Sequence, residues 1–163
     1  MMNEQEIAQQ QALILFDRGF RHQRRGQLAD AMELYRRSIS LQPTAEAHTF
    51  LGWTYSLLGR LDEAIEECYK AIAIDPGFGN PYNDVGVYLM EQGVWAEAVP
   101  WLEKALDAPR YDAPQFPRLN LGRAYENLGQ PLEALKWYRR ALEIDPLFLP
   151  AEQAKNLLLG KLN

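Results

Sequence analysis

Residues 52–76 read GWTYSLLGRLDEAIEECYKAIAIDP, and the fold follows from how this stretch is punctuated. Gly52 and Gly59 stand seven residues apart, Ala64 follows five further on, Ala71 after seven more, and Asp75-Pro76 closes the run. The apolar residues between them recur at helical spacing, so the stretch predicts two short amphipathic helices meeting at a turn. Such a pair, part of a unit of about 33 residues, cannot bury both of its apolar stripes alone. Copies must stack so that the core runs on from one to the next.

Working outward, the same template returns at Gly19, Gly26, Ala31 and Pro43, at Gly86, Gly93, Ala98 and Ala105, and at Gly122, Gly129, Ala134, Ala141 and Pro146. The residue types have mechanical reasons. Gly52, Gly86 and Gly122 fall inside helical patterns, where glycine costs about 1 kcal/mol against alanine, and close helix packing is the expected compensation. The second glycine of each copy (Gly26, Gly59, Gly93, Gly129) is placed to end the first helix in a left-handed conformation. The alanine of the second helix lets the pair approach, Tyr35, Trp101, Trp137 and Tyr138 fill the wider gaps, and Pro43, Pro76 and Pro146 stop the second helix.

On these residues the chain resembles the tetratricopeptide repeat family, whose period is about 34 residues. Leu51, Gly52, Tyr55, Gly59, Ala64, Ala71 and Pro76 match in the second copy, and Leu121, Gly122, Tyr125, Gly129, Ala134, Tyr138, Ala141 and Pro146 in the fourth. The resemblance covers roughly residues 12–148 and implies an all-α, right-handed α-solenoid of four helix-turn-helix units. The expected organisation is a single domain over 1–163, with repeats at about 12–44, 45–78, 79–114 and 115–148 and a C-terminal capping helix at about 149–162.

Composition narrows the function classes. With 163 residues, 47 % of them hydrophobic, the chain can bury a sizeable core. Net charge is -5, and residues 45–114 hold 12 acidic side chains against 4 basic, which disfavours nucleic acid as a partner. The N-terminus has no basic region leading into an apolar run, so neither a signal peptide nor a membrane span is expected, and the cytoplasm is the plain reading. A lone Cys68 reads as a buried thiol, with a reactive role as the alternative.

Asn3 and Glu6 have capping-box spacing, so the first helix should run from about residue 4 to about residue 25, with Arg18, Arg21, Arg24 and Arg25 suiting its C-terminal end. In the third copy the second helix, expected from Ala96, carries Pro100 near its start, where first-turn amides have no partner to lose. The segment 108–117, APRYDAPQFP, is the irregular connection: a longer inter-repeat loop, or else a lip displaying Tyr111 and Phe116. After Pro146, Ala151, Ala154, Leu158 and Leu162 form the stripe of the capping helix, and a docking helix for another protein would look similar.

No catalytic constellation, cofactor motif or metal-ligand spacing is present. His22 and His48 fall at interior positions, and Glu66 and Glu67 read as a solvated face. A noncatalytic chain of this design acts through a surface, and in a curved stack the first helices line the inner wall. The template places Phe16, Phe20, Thr49, Trp53, Asn83, Val87, Leu119, Asn120 and Arg123 there, with Trp53 and Asn83 open to solvent. Phe16, Phe20 and Trp53 would anchor an apolar segment, Asn83 and Asn120 would hydrogen-bond an extended backbone, and Arg123 would meet a carboxylate.

Co-chaperone members of the family grip a C-terminal carboxylate with Lys, Asn and Arg. The corresponding residues here are Phe16, Phe20, Phe50, Asn80 and Asp84 or, one repeat on, Thr49, Trp53, Asp84, Phe116 and Asn120, and Asp84 would repel an acidic tail. The expected function is therefore a protein-interaction scaffold holding a peptide or helical segment of another protein in its concave groove, not an acidic chaperone tail. The alternative is a self-associating structural element, a homo-oligomer.

Overall fold

The computed structural model describes residues 1–163, almost wholly as helix. It divides into two compact units, Met1–Pro76 and Gly77–Asn163. The first holds α1 (Glu4–Arg24), α2 (Leu28–Leu41), α3 (Ala45–Leu57) and α4 (Leu61–Ile74), and the second holds α5 (Asn80–Glu91), α6 (Trp95–Asp107), α7 (Gln115–Asn127), α8 (Pro131–Ile144) and α9 (Leu149–Leu162). Within the first unit α1 packs on α2, α2 on α3 and α3 on α4. Within the second α5 packs on α6, α6 on α7, α7 on α8 and α8 on α9. Four helix-turn-helix pairs and a terminal helix are thus present, as the template requires.

The first helix of each pair ends the same way. Gly26, Gly59, Gly93 and Gly129 have φ of 74–80°, and they are the chain's positive-φ residues. In each case the glycine N–H and the next residue's N–H turn back to the last turn of the helix, as Gln27 does to the His22 carbonyl at 3.0 Å and Arg60 to Tyr55 at 3.0 Å. These bonds satisfy carbonyls that the helix end would otherwise orphan. At the other terminus of α1, Asn3 Oδ1 accepts from the Glu6 N–H and Glu6 Oε2 from the Asn3 N–H, both at 2.8 Å. The capping box is therefore formed.

The pairs close on glycine and alanine. Ala31, Ala64, Ala98 and Ala134 are fully buried. A Cβ placed on Gly86 would meet the Leu102 side chain, and one on Gly122 the Tyr138 ring, each sixteen residues further along. The core of the terminal pair, built on Leu119, Leu135, Tyr138 and Ala141, is extended by Phe148, Ala151 and Leu158 of the α9 region. Leu162, expected on that stripe, is exposed.

Three other expectations need correcting. Helix α6 starts at Trp95, which puts Pro100 in its second turn, where it removes a backbone hydrogen bond rather than occupying a harmless first-turn site. Tyr111 is not displayed: it packs on Gly79. The segment around it pairs with the start of α5, Gly79 N–H donating to the Arg110 carbonyl at 2.9 Å and Arg110 N–H to Gly77 at 3.0 Å. Glu67 is buried rather than solvated, because His48 Nδ1 lies 2.6 Å from its Oε2 and Lys70 Nζ 2.6 Å from its Oε1.

Candidate functional site

Helical geometry decides which first-helix residues can meet a ligand. At about 100° per residue, the position three before the packed glycine lies only about 60° from it, while those two before and one after lie about 160° and 100° away. Residues at the first position should turn inward and those at the other two outward. The structure follows this rule except at Asn120, which stands two before Gly122 and is nevertheless buried. Thr49, Asn83 and Leu119, each three before the glycine, are buried. Trp53 and Arg123, each one after it, are exposed, and Val87 and Phe20 are part-exposed at the same position.

The position three before the glycine is therefore withdrawn from the expected wall in three of the four repeats, while Phe20, Trp53, Val87 and Arg123 stay on it. Thr49 Oγ1 donates to its own helix at Ala45 O (2.7 Å), and Leu119 belongs to the core. Asn83 is 8 % exposed and Asn120 is 5 % exposed, because Asn120 Nδ2 donates to Asn83 Oδ1 at 3.0 Å, linking α7 to α5. Amides occupied by each other leave little for a ligand backbone. In the first repeat Phe16 stays part-exposed.

In the first unit the exposed positions form an aromatic surface on α1 and α3. Phe50 is its centre: its ring lies 5.2 Å from Phe16, 5.5 Å from Phe20 and 5.9 Å from Trp53, all edge-on. Such contacts hold the rings rigid while leaving faces open. Trp53 keeps 41 % of its surface in solvent. Arg24 lies over Phe20 at 5.9 Å. Beside Phe16 a cleft of about 520 Å³ opens between α1, the end of α2 and the start of α3, with Leu13, Ala12 and Phe16 as its apolar lining and Gln9, Gln42 and Thr44 among its polar lining. From the sequence Phe50 is only a mismatch to a chaperone-tail grip position and not part of the apolar anchor. Its position two before Gly52, the one that carries Asp84 and Asn120 in later copies, was the available signal.

In the second unit the same positions carry Asp84, Val87 and Arg123. Asp84 is part-buried, and loss of water pushes its pKa up to about 7 while the Asn83 side chain opposes the rise. No group of three or more His, Cys, Asp or Glu side chains is arranged to hold a metal. No helix is long and apolar enough to cross a membrane.

Helix pairs repeated in sequence order, with open side chains along the first helices, have the architecture of a protein-interaction scaffold. Profiles of the tetratricopeptide repeat match residues 45–78, 82–108 and 118–148, together more than half of the chain. The chain is a member of the tetratricopeptide repeat family, whose proteins are in general noncatalytic scaffolds.

Its fold is similar to that of PilF from Pseudomonas aeruginosa, with a TM-score of 0.88 and 23 % identity over 94 % of this chain and 70 % of that one. It is also similar to PilW, a type IV pilus biogenesis factor, with a TM-score of 0.81 and 25 % identity over 90 % and 70 % of the two chains. In sequence it is 32 % identical over 78 residues to small glutamine-rich tetratricopeptide repeat-containing protein 2 of Mycosarcoma maydis, covering 47 % of this chain and 22 % of that protein. The chain spans less than a quarter of the length of the curated relatives it matches.

Proposed function

We propose that the chain holds a peptide or helical segment of another protein against the outward stripe of its first helices, with the aromatic surface of α1 and α3 as the apolar anchor. The observation that carries this reading is the Phe16, Phe20, Phe50 and Trp53 cluster. Four large rings gathered on one face, part-exposed and edge-packed, offer rigid apolar area at little entropic cost, which is the character of an interface hot spot. The proposed ligand is not an acidic chaperone tail, since Asp84 stands where a cation would be needed. Arg123, exposed on α7, is a proposed polar contact.

Short random peptides displayed on phage and selected on the immobilised full chain test the reading. Enriched peptides should bind Trp53→Ala about tenfold or more weakly, while the variant's stability stays within about 1 kcal/mol of wild type. Unfolding of Trp53→Ala would return the ring to the core and sink the assignment. A second reading, self-association, is favoured by the apolar side chains that α9 leaves open, Leu149 at 57 % and Leu157 at 69 % exposed. A sedimentation mass that climbs with concentration, with no peptide enriched, would decide for it.

A further inference from the structure

Helix α1 leaves large apolar side chains in water on the side that its own unit does not cover. Ala12, Leu15, Gly19 and Gln23 are its buried residues. That side meets α2: Ser38 Oγ donates to the Ala12 carbonyl at 2.7 Å, and Tyr35 packs on Gly19 and donates to Gln23 Oε1 at 2.6 Å. At about 100° per residue, Gln10, Ile14, Asp17 and Arg21 point away from it, with Glu6, Ile7 and Leu13 along their flanks. Leu13 is 65 % exposed, Ile14 59 % and Ile7 43 %. The charges on the same helix are segregated. Glu4, Glu6 and Asp17 are the only charged residues before Arg18, and Arg18, Arg21, Arg24 and Arg25 follow with no acid among them. The helix macrodipole explains that segregation but not the open leucine and isoleucines.

We propose that the outward side of α1 is an antiparallel dimer contact with α1 of a second copy of this chain. The helix is complementary to its own reverse. Its midpoint is residue 14, so about a two-fold axis there residue i comes level with residue 28 − i of the second copy. Ile14 then meets Ile14 of the second copy, with Leu13 of each beside them, and the apolar side chains leave water together. Glu6 comes level with residue 22 of the second copy, between its Arg21 and Arg24, and the two-fold forms this contact twice. Glu6 spends Oε2 on the capping box and keeps Oε1 for an arginine. Asp17 comes level with Gln11 and Arg18 with Gln10, so like charges do not meet. A shallow recess of about 510 Å³ against Met2, Glu6, Gln9, Gln10 and Leu13 has room for the stems of Arg18 and Arg21 of the second copy. One helix laid on its twin buries close to the roughly 1,000 Å² at which specific interfaces begin, so the dimer should be weak, dissociating in the micromolar range or above. The inference goes beyond the peptide-binding reading and does not depend on it. Phe16 and Phe20 turn toward Phe50 of α3, and self-association through α9 would use another surface.

Sedimentation equilibrium of the full chain, from micromolar to near-millimolar concentration, tests the proposal. The mass should rise from 18.7 kDa toward twice that value and no further. Ile14→Asp and Arg21→Glu should each weaken dimerisation about tenfold or more, with circular dichroism and melting temperature unchanged, since both side chains stand in solvent in the single chain. Glu6→Arg should weaken it too but also removes the capping box, so the register is tested by mixing. Equimolar Glu6→Arg and Arg21→Glu should dimerise where neither does alone, because the mixed dimer holds one native and one reversed ion pair. A chain that stays monomeric throughout, a dimer indifferent to Ile14→Asp, or a mass that climbs past two copies would overturn the proposal. A mixture no more associated than its components would overturn the antiparallel register. Association lost in Leu157→Asp but kept in Ile14→Asp would place the contact on α9 and overturn it as well. Loss of peptide binding in Trp53→Ala leaves this result untouched, so the two readings fail separately.

Discussion

Gly122 and Tyr138 illustrate how the repeat is held together one residue at a time. The ring occupies the volume that a Cβ on Gly122 would need, and it cannot swing away freely because its hydroxyl donates to Glu126 Oε2 at 2.8 Å. The first repeat solves the problem identically, with Tyr35 packed on Gly19 and its hydroxyl donating to Gln23 Oε1 at 2.6 Å. Gly122→Ala should therefore lose about 1–3 kcal/mol, the usual cost of overpacking. Gly160→Ala, where nothing lies within 4 Å, should be neutral or slightly stabilising. Urea denaturation of both variants checks this, and equal midpoints would remove close packing as the reason for the template glycine. The glycines were legible in the sequence because their spacing repeats. The buried His48–Glu67 pair was not, because a glutamate beside another glutamate looks like surface until the helix across from it supplies the imidazole.

At the scale of the element, helix starts and stops were largely written in the chain. Asn3 and Glu6 mark the start of α1, four glycines end the first helices, and the expected capping helix at about 149–162 is α9. Pro100 marks where the local rule fails, since it is the sixth residue of α6 and so lies beyond the first turn. It lies in the second turn of α6 and is exposed, so its ring contributes little packing while the helix lacks the bond its N–H would make. Pro100→Ala should stabilise the chain by about 1–3 kcal/mol, less than the full propensity difference because proline also restricts the unfolded state. Thermal and urea unfolding measure this. A loss of stability would mean that α6 needs the bend. The outward stripe of the first helices was misread at the position three before the glycine: spacing identifies a face, but each step along the chain rotates the side chain by about 100°.

For the whole molecule, stability against pH joins two carboxylates, part-buried Asp84 and buried Glu67, with opposite signs. The folded pKa of Asp84, about 7, lies above its ordinary 3.8. Between those values the native chain holds a proton that the unfolded chain has released, so this group's contribution falls as pH rises from about 4 to about 7 and is then constant. Burial also raises Glu67, but hydrogen bonds from His48 and Lys70 outweigh it and leave the pKa below the ordinary glutamate value, so its contribution is present above that range and lost as pH falls through the lowered value. Asp84→Asn should thus remove the decline between about pH 4 and pH 7 and stabilise the chain at pH 8 by on the order of 2 kcal/mol. Denaturant midpoints across that range test it, and an unchanged slope would show the carboxyl to be water-exposed.

The sequence by itself determined the repeat, its period, its helix ends and its small-residue contacts, because each depends on neighbours less than about forty residues apart whose spacing recurs. Only the tertiary structure decided which side chains remain open. Thr49, Asn83 and Leu119 are withdrawn and Trp53 and Arg123 are left in solvent by the rotation of each first helix against its partner, while Asn120 is withdrawn by its bond to Asn83. That rotation is set by packing between helices, which no single stretch of the chain contains.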